Sequence, residues 1–226
     1  MLGSLNSVDV AQAVAFVALF LLVSGPVHEC MHAYVAWKLG DGTAKLFGRI
    51  TLDPITHFDP IGGTLLAGSV LLSLLAGGAG FGFGWAKPTP VNPYNLRGRH
   101  ADSLVAVAGP LSNLGLAVLF AVAFRILAMN GAVAYNDSAI NMVQLVMATG
   151  IVLNVILLIF NLIPIPPLDG SHVLFDFLDP RTAQEIRGTL NQYGMILLVL
   201  LVFVGGRFIF AVVAPIANML AGQTIV

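Results

Sequence analysis

From Val10 to Val27 the chain carries no charged residue, and the same holds for Ile61–Trp85, Ser103–Phe124 and Ala139–Leu168. A fifth apolar stretch, Tyr193–Ala221, is interrupted by "GGR" at 205–207. A helix needs about 20 apolar residues to cross a bilayer, so each stretch is long enough to enter lipid. Composition agrees: 58% of residues are hydrophobic and 9% charged, against about 25% charged in soluble domains. The expected fold class is therefore an all-α multi-pass membrane protein with the lipid bilayer as its surroundings. A net charge of -1 argues against a nucleic-acid partner. The single cysteine, Cys30, cannot form an internal disulfide. The first ten residues hold no lysine or arginine, so no cleavable signal peptide is expected. No stretch reads as a soluble domain, which leaves one transmembrane domain over 1–226.

Basic residues indicate which stretches cross, because they gather in cytoplasmic loops. Lys38, Lys45 and Arg49 follow the first stretch, and Lys87, Arg97 and Arg99 follow the second. If 61–85 crossed, one of these basic loops would lie outside. The simpler reading is a glycine-rich re-entrant segment at 61–85 that turns within "AGGAGFGFGW" and returns to its own side. About four spanning helices remain, with segments near 10–38, 103–129, 139–163 and 193–221. The N-terminus and "NGAVAYNDS" (130–138) then lie outside, and Arg181 and Arg187 inside.

The decapeptide "GPVHECMHAY" (25–34) sits at the end of the first stretch and holds one of only two glutamates in the chain. His28 and His32 are four residues apart, so on a helix both imidazoles project from one face. His-Glu-x-x-His is the pattern of zinc hydrolases, two metal ligands with a general base between them. At this chain's own residue frequencies a chance match is expected on the order of 0.001 times per chain. Ionisable groups at membrane depth are functional candidates by default. The motif lies about 10–15 Å short of Lys38 along a helix, submerged but near the cytoplasmic face. Pro26 removes a helical hydrogen bond just before it and is expected to kink the approach.

A catalytic zinc site needs a third protein ligand, with the fourth position left for water. His57, His100, His172 and the nine aspartates are the candidates. Asp169 stands above the rest. It ends "NLIPIPPLDG" (161–170), where three prolines forbid a regular helix. Irregular backbone at membrane depth is tolerated only where it is buried in protein or lines a wet cavity. The segment before it runs from outside to inside as the first helix does, so Asp169 and His32 arrive at similar depth.

Four stretches, "HECMH" (28–32), "GFGWAKPTPVNPYNLR" (82–97), "AGPLSN" (108–113) and "NLIPIPPLDG" (161–170), resemble in content and order the site-2 proteases, intramembrane zinc metalloproteases. The likeness is to the short subgroup without a PDZ domain. It implies one zinc ion per chain on His28, His32 and Asp169, with Glu29 as base. It also implies that Asn113 and Asn161 lie near a transmembrane protein substrate. The sequence "DGSH" departs from the arginine more usual after the serine, which makes His172 an accessory candidate. His57, in "HFDP", is a second, with a polar loop anchor as its plainer role.

The expected chemistry is hydrolysis of a peptide bond by zinc-activated water, with Glu29 taking the proton and a donor such as Asn113 helping to hold the oxyanion. "GFGFGW" (80–85) and "KPTPVNP" (87–93) read as extended rather than helical. Such an edge could hold an unwound substrate by strand addition. Two other classes are compatible with such ligands. A membrane metal transporter could use the same ligands but has no need of a base. A catalytically silent scaffold usually lacks a ligand or the glutamate, and none is missing here.

Overall fold

In a computed structural model, which describes residues 7–77, 82–129 and 142–226, the chain forms helices joined by turns and irregular segments, with no strand among the described residues. The first helix, α1, spans Ser7–Lys38. Next come α2 (Pro60–Leu75), α3 (Ala101–Met129) and α4 (Met142–Asn161). The last three are α5 (Gly170–Phe177), α6 (Pro180–Phe203) and α7 (Gly206–Ala221). By length and hydropathy α1, α3 and α4 can each cross a membrane, and α6 with α7 makes a fourth candidate as a pair bent by 65°.

Local chemistry sets the boundaries. Asp59 accepts from the backbone N–H groups of Ile61 and Gly62, and Pro60 needs no partner at the first helical position, so α2 starts there. Asp179 and Pro180 start α6 in the same way. The helix that carries the apolar segment expected from Tyr193 thus begins earlier, at Pro180. A capped polar turn with Arg181, Glu185 and Arg187 extends the helix back to Pro180, and the chain then breaks at Val204–Gly205. Ahead of Pro26, residues Phe20–Ser24 widen into a π-turn in which Gly25 N–H reaches Phe20 O. The proline that was expected to kink the helix is thus accommodated by one locally wider turn.

Between lipid-facing helices the apolar surface supplies little drive, and close packing of small residues has to hold them together. Ala117 and Ala121 of α3, Ile151 and Val155 of α4, and Ala217 and Ala221 of α7 form one buried cluster. Ala13 and Phe16 of α1, Leu66 and Val70 of α2, and Leu153 of α4 form the other. Helix α4 therefore stands between the two halves. Leu22, Leu71, Leu119, Ile126 and Ile196 are exposed around the outside, as lipid-facing side chains should be.

After α2 the chain comes back along it. Residues 82–92 have no helix, as the glycine and proline pattern predicted, while the expected turn at 78–81 lies outside the described residues. Ser69 Oγ receives Phe83 N–H at 2.9 Å, and a Cβ on Gly84 would stand 2.5 Å from Leu66 Cβ. Lys87 N–H then donates to His57 O at 2.8 Å, which brings residue 87 level with the start of the segment it left. The N-terminal residues 1–6, the loop expected at 130–138 and the first residues of the 139–163 segment also fall outside the described residues.

Candidate metal centre and active site

The two motif histidines are buried on α1, with their Nε2 atoms 3.0 Å apart. Asp169 Oδ2 lies 3.3 Å from His28 Nε2 and 3.4 Å from His32 Nε2. Among the described residues this is the one group of three side chains spaced to hold a metal ion. His32 and Asp169 come together because α3 packs against both α1 and α5: His32 Nδ1 sits 2.7 Å from Val105 O.

The hydrogen-bond network fixes the protons. Val105 O is a carbonyl and can only accept, so His32 Nδ1 carries the hydrogen. For His28 the same logic runs through two asparagines. Asn154 Nδ2 donates to Gly150 O at 2.8 Å, which leaves Asn154 Oδ1 to accept from Asn113 Nδ2 at 2.9 Å. Asn113 Oδ1 then faces His28 Nδ1 at 2.6 Å and accepts its N–H. In their neutral form both rings therefore turn bare Nε2 lone pairs toward Asp169 Oδ2, a buried oxygen 3.3 and 3.4 Å away. In that form three acceptors converge, an arrangement that suits a cation between them. Ligand atoms about 2.0–2.2 Å from a tetrahedral zinc ion stand about 3.3–3.6 Å from one another. The two histidine–carboxylate separations, 3.3 and 3.4 Å, fall in that range, and the two Nε2 atoms are closer at 3.0 Å. Gly109 backs the cluster: a Cβ there would meet His32 Nε2, and His28 Nε2 at 2.6 Å.

Glu29 lines the same cavity, of about 570 Å³, with His28, His32, Asp169, Asn161 and His172. Thr89 grips it twice, its N–H donating to Glu29 Oε2 at 2.7 Å and its hydroxyl to Glu29 O at 2.9 Å. The segment from Phe83 to Val91 forms one wall of that cavity, and Met195 and Leu198 of α6 contribute to another. The extended stretch and the glutamate are thus one unit. No sequence signal singled out Thr89.

The other expected residues divide. Asn161 is at the cavity, its Nδ2 donating back to Leu157 O at 2.9 Å. Asn113 is fully buried and uses its amide on His28 and Asn154, so the geometry does not support the oxyanion or substrate contact expected of it. It orients a histidine instead. His57 is buried away from the cluster with Nε2 2.9 Å from Thr51 O, a loop anchor rather than a ligand. His172 borders the cavity but pairs with Asp102, Nδ1 to Oδ2 at 2.9 Å. Asn154 was not singled out in the sequence, although an amide in the middle of a charge-free helix is itself a signal.

Residues 15–201 match the sequence model of peptidase family M50. The chain is 40% identical over 192 residues to YwhC of Bacillus subtilis (strain 168), spanning 82% of this chain and 79% of that one. It is 32% identical over 203 residues to Rip2 of Mycolicibacterium smegmatis, spanning 85% and 71%. Rip2 of Mycobacterium tuberculosis (strain H37Rv) is 30% identical over the same length. All three carry the name "Putative zinc metalloprotease". No solved structure gives a significant match. With three side chains spaced to hold a metal ion, a tethered glutamate and helices long enough to span lipid, the chain belongs to peptidase family M50 and is a metalloprotease of the membrane.

Proposed function

We propose that this metalloprotease holds one zinc ion on His28 Nε2, His32 Nε2 and Asp169 Oδ2 and cleaves transmembrane segments of other proteins near the cytoplasmic face. The observation that carries the reading is the convergence of His28 Nε2, His32 Nε2 and Asp169 Oδ2 beside a glutamate held by Thr89. Zinc there supplies Lewis acidity, acidifying water and polarising a peptide carbonyl. Glu29 takes the proton from the attacking water and returns it to the leaving nitrogen as the carbon–nitrogen bond breaks. With Oε2 held by Thr89 N–H, the carboxylate needs little reorganisation to do so.

A helical substrate hides its carbonyls in its own hydrogen bonds and must be drawn out straight before it is cut. The wall at 83–91 is extended and fixed on one edge by Lys87 and Thr89. A substrate strand can lie along the other edge, with Asn161 across the cavity from it. The depth assignment is supported by Lys38 and Lys45 at and just after the end of α1, and by Arg97, whose N–H bonds Leu39 O there. Lys38 and Lys45 also stack over Trp37 at 4.7 and 4.2 Å, as at a membrane interface. The return of Lys87 to His57 supports a segment 61–85 that enters and leaves on one side.

Base and ligand should fail differently. Glu29→Gln keeps size but cannot take a proton, so the purified variant is expected to retain zinc and lose nearly all proteolysis. Asp169→Ala, His28→Ala and His32→Ala are expected to lose both. Zinc by atomic absorption, paired with cleavage of a transmembrane test substrate, measures this. Full cleavage by Glu29→Gln would refute the mechanism, and undiminished zinc in Asp169→Ala would refute the ligand set.

A further inference from the structure

Asp169 has the least scaffold behind it of the three ligand residues. His28 and His32 ride on a helix of 32 residues. Asp169 ends a proline-broken stretch and precedes α5, which has only eight residues. Its Oδ2 nevertheless meets both imidazoles at near-equal distances, 3.3 and 3.4 Å. The attachments of α5 supply that placement.

His172 and Asp176 are four residues apart on α5 and share a face. His172 Nδ1 lies 2.9 Å from Asp102 Oδ2 at the start of α3. Asp176 Oδ2 lies 2.7 Å from His100 Nδ1, just before α3, and accepts Ser103 Oγ–H at 2.7 Å. The exchange is reciprocal: each side gives one histidine and one aspartate. A slide that brought Asp176 to Asp102, or His172 to His100, would set like against like, so the contact specifies one register. The same helix indexes the other two ligands, through Val105 O for His32 and Asn113 for His28. Asp102 and Val105 are one turn apart.

We propose that this reciprocal His–Asp clasp, His172 with Asp102 and Asp176 with His100, is a positioning device for the metal centre. It locks Asp169 to the helix that already orients both histidines. The proposal rests on the reading of Asp169 as a ligand. Both histidines are about half exposed, 49% for His100 and 51% for His172, and exposed pairs contribute little to global stability. A clasp therefore has a signature that a merely structural pair lacks: metal affinity falls while the unfolding temperature holds.

The test uses the full chain in detergent in a Glu29→Gln background, stripped of metal, with zinc affinity read by competition with a chromophoric chelator. His172→Ala and Asp102→Ala are each expected to weaken zinc binding about tenfold or more. The double variant should be no weaker than either single one, since both remove the same pair. Exchanging the partners, Asp102→His with His172→Asp, should restore affinity to within about threefold. Where an alanine variant does not fold, His100→Ala cuts only the other half, and a loss of at least about threefold is expected of it. Asp169→Ala is the reference. If it keeps the parent's affinity, the ligand reading falls; if it loses zinc while the folded clasp variants bind within about twofold of the parent, the clasp alone falls.

Discussion

Two asparagines with similar surroundings in the sequence do different work, and substitution should separate them. Asn113 is fully buried between His28 Nδ1 and Asn154 Oδ1. Asn113→Ala leaves a donor on His28 and an acceptor on Asn154 without partners, which destabilises the fold by about 1–3 kcal/mol. It also frees the imidazole to rotate, so zinc affinity should fall about 10- to 100-fold. Asn161 reaches the cavity and bonds only its own helix. Asn161→Ala should keep zinc and thermal stability and slow cleavage of a transmembrane substrate. Zinc content, unfolding temperature and turnover on the two purified variants decide between these roles; loss of zinc from Asn161→Ala would show that it serves the metal instead. The identities of His28, His32 and Glu29 were legible in the sequence because i, i+4 spacing is local. The role of Asn113 was not, because its partner lies 85 residues away and only helix packing brings them together.

At the scale of elements, the extended wall depends on a single carboxylate outside the membrane-spanning helices. Asp41, fully buried after α1, accepts from Thr43 N at 3.1 Å, Asn92 N at 2.7 Å and Asn95 Nδ2 at 3.0 Å. Arg97 N–H adds a bond to Leu39 O at 2.7 Å. Together these fasten the end of the 82–97 stretch to the end of α1. Burial opposes the charge on Asp41, but the donors from Thr43, Asn92 and Asn95 outweigh it and hold its carboxyl below the usual value. A depressed folded-state pKa stabilises the fold above the unfolded value of about 3.9 and is lost as pH falls below it. Asp41→Ala should therefore lower thermal stability by about 2–3 kcal/mol at neutral pH, and the gap to the parent should narrow only below about pH 4. A gap that closes between pH 7 and 5 would rule this origin out. The helix starts at Pro60 and Pro180 rest on adjacent Asp-Pro pairs, whereas this tie of a loop to a distant extended segment has no local pattern.

For the whole molecule, the consequence to check is sidedness. Leu39 and Arg97 are hydrogen-bonded to each other, as are His57 and Lys87, so the chain before and after α2 meets on one level. Single cysteines at Ser4, Thr51, Asn95 and Asp137, in a Cys30→Ser background, should react with an impermeant thiol reagent from two sides. Thr51 and Asn95 should label together from the cytoplasm, with Ser4 and Asp137 opposite. Labelling of Asn95 with Asp137 would mean that 61–85 crosses, and the depth argument for Asp169 would then lose its basis.

Composition and charge-free runs alone determined a multi-pass helical protein, because transfer of apolar helices into lipid depends on residue type and length and hardly on neighbours. Spacing alone placed His28, Glu29 and His32 on one helix as candidate ligands and base. Tertiary structure decided the rest: that Val105 O holds Nδ1 of His32, that Asn113 orients His28, and that Thr89 holds Glu29. Those outcomes depend on groups 60 to 85 residues apart, whose meeting is set by how α1, α3 and α4 pack, and that packing rests on shape and buried hydrogen bonds that no local pattern encodes.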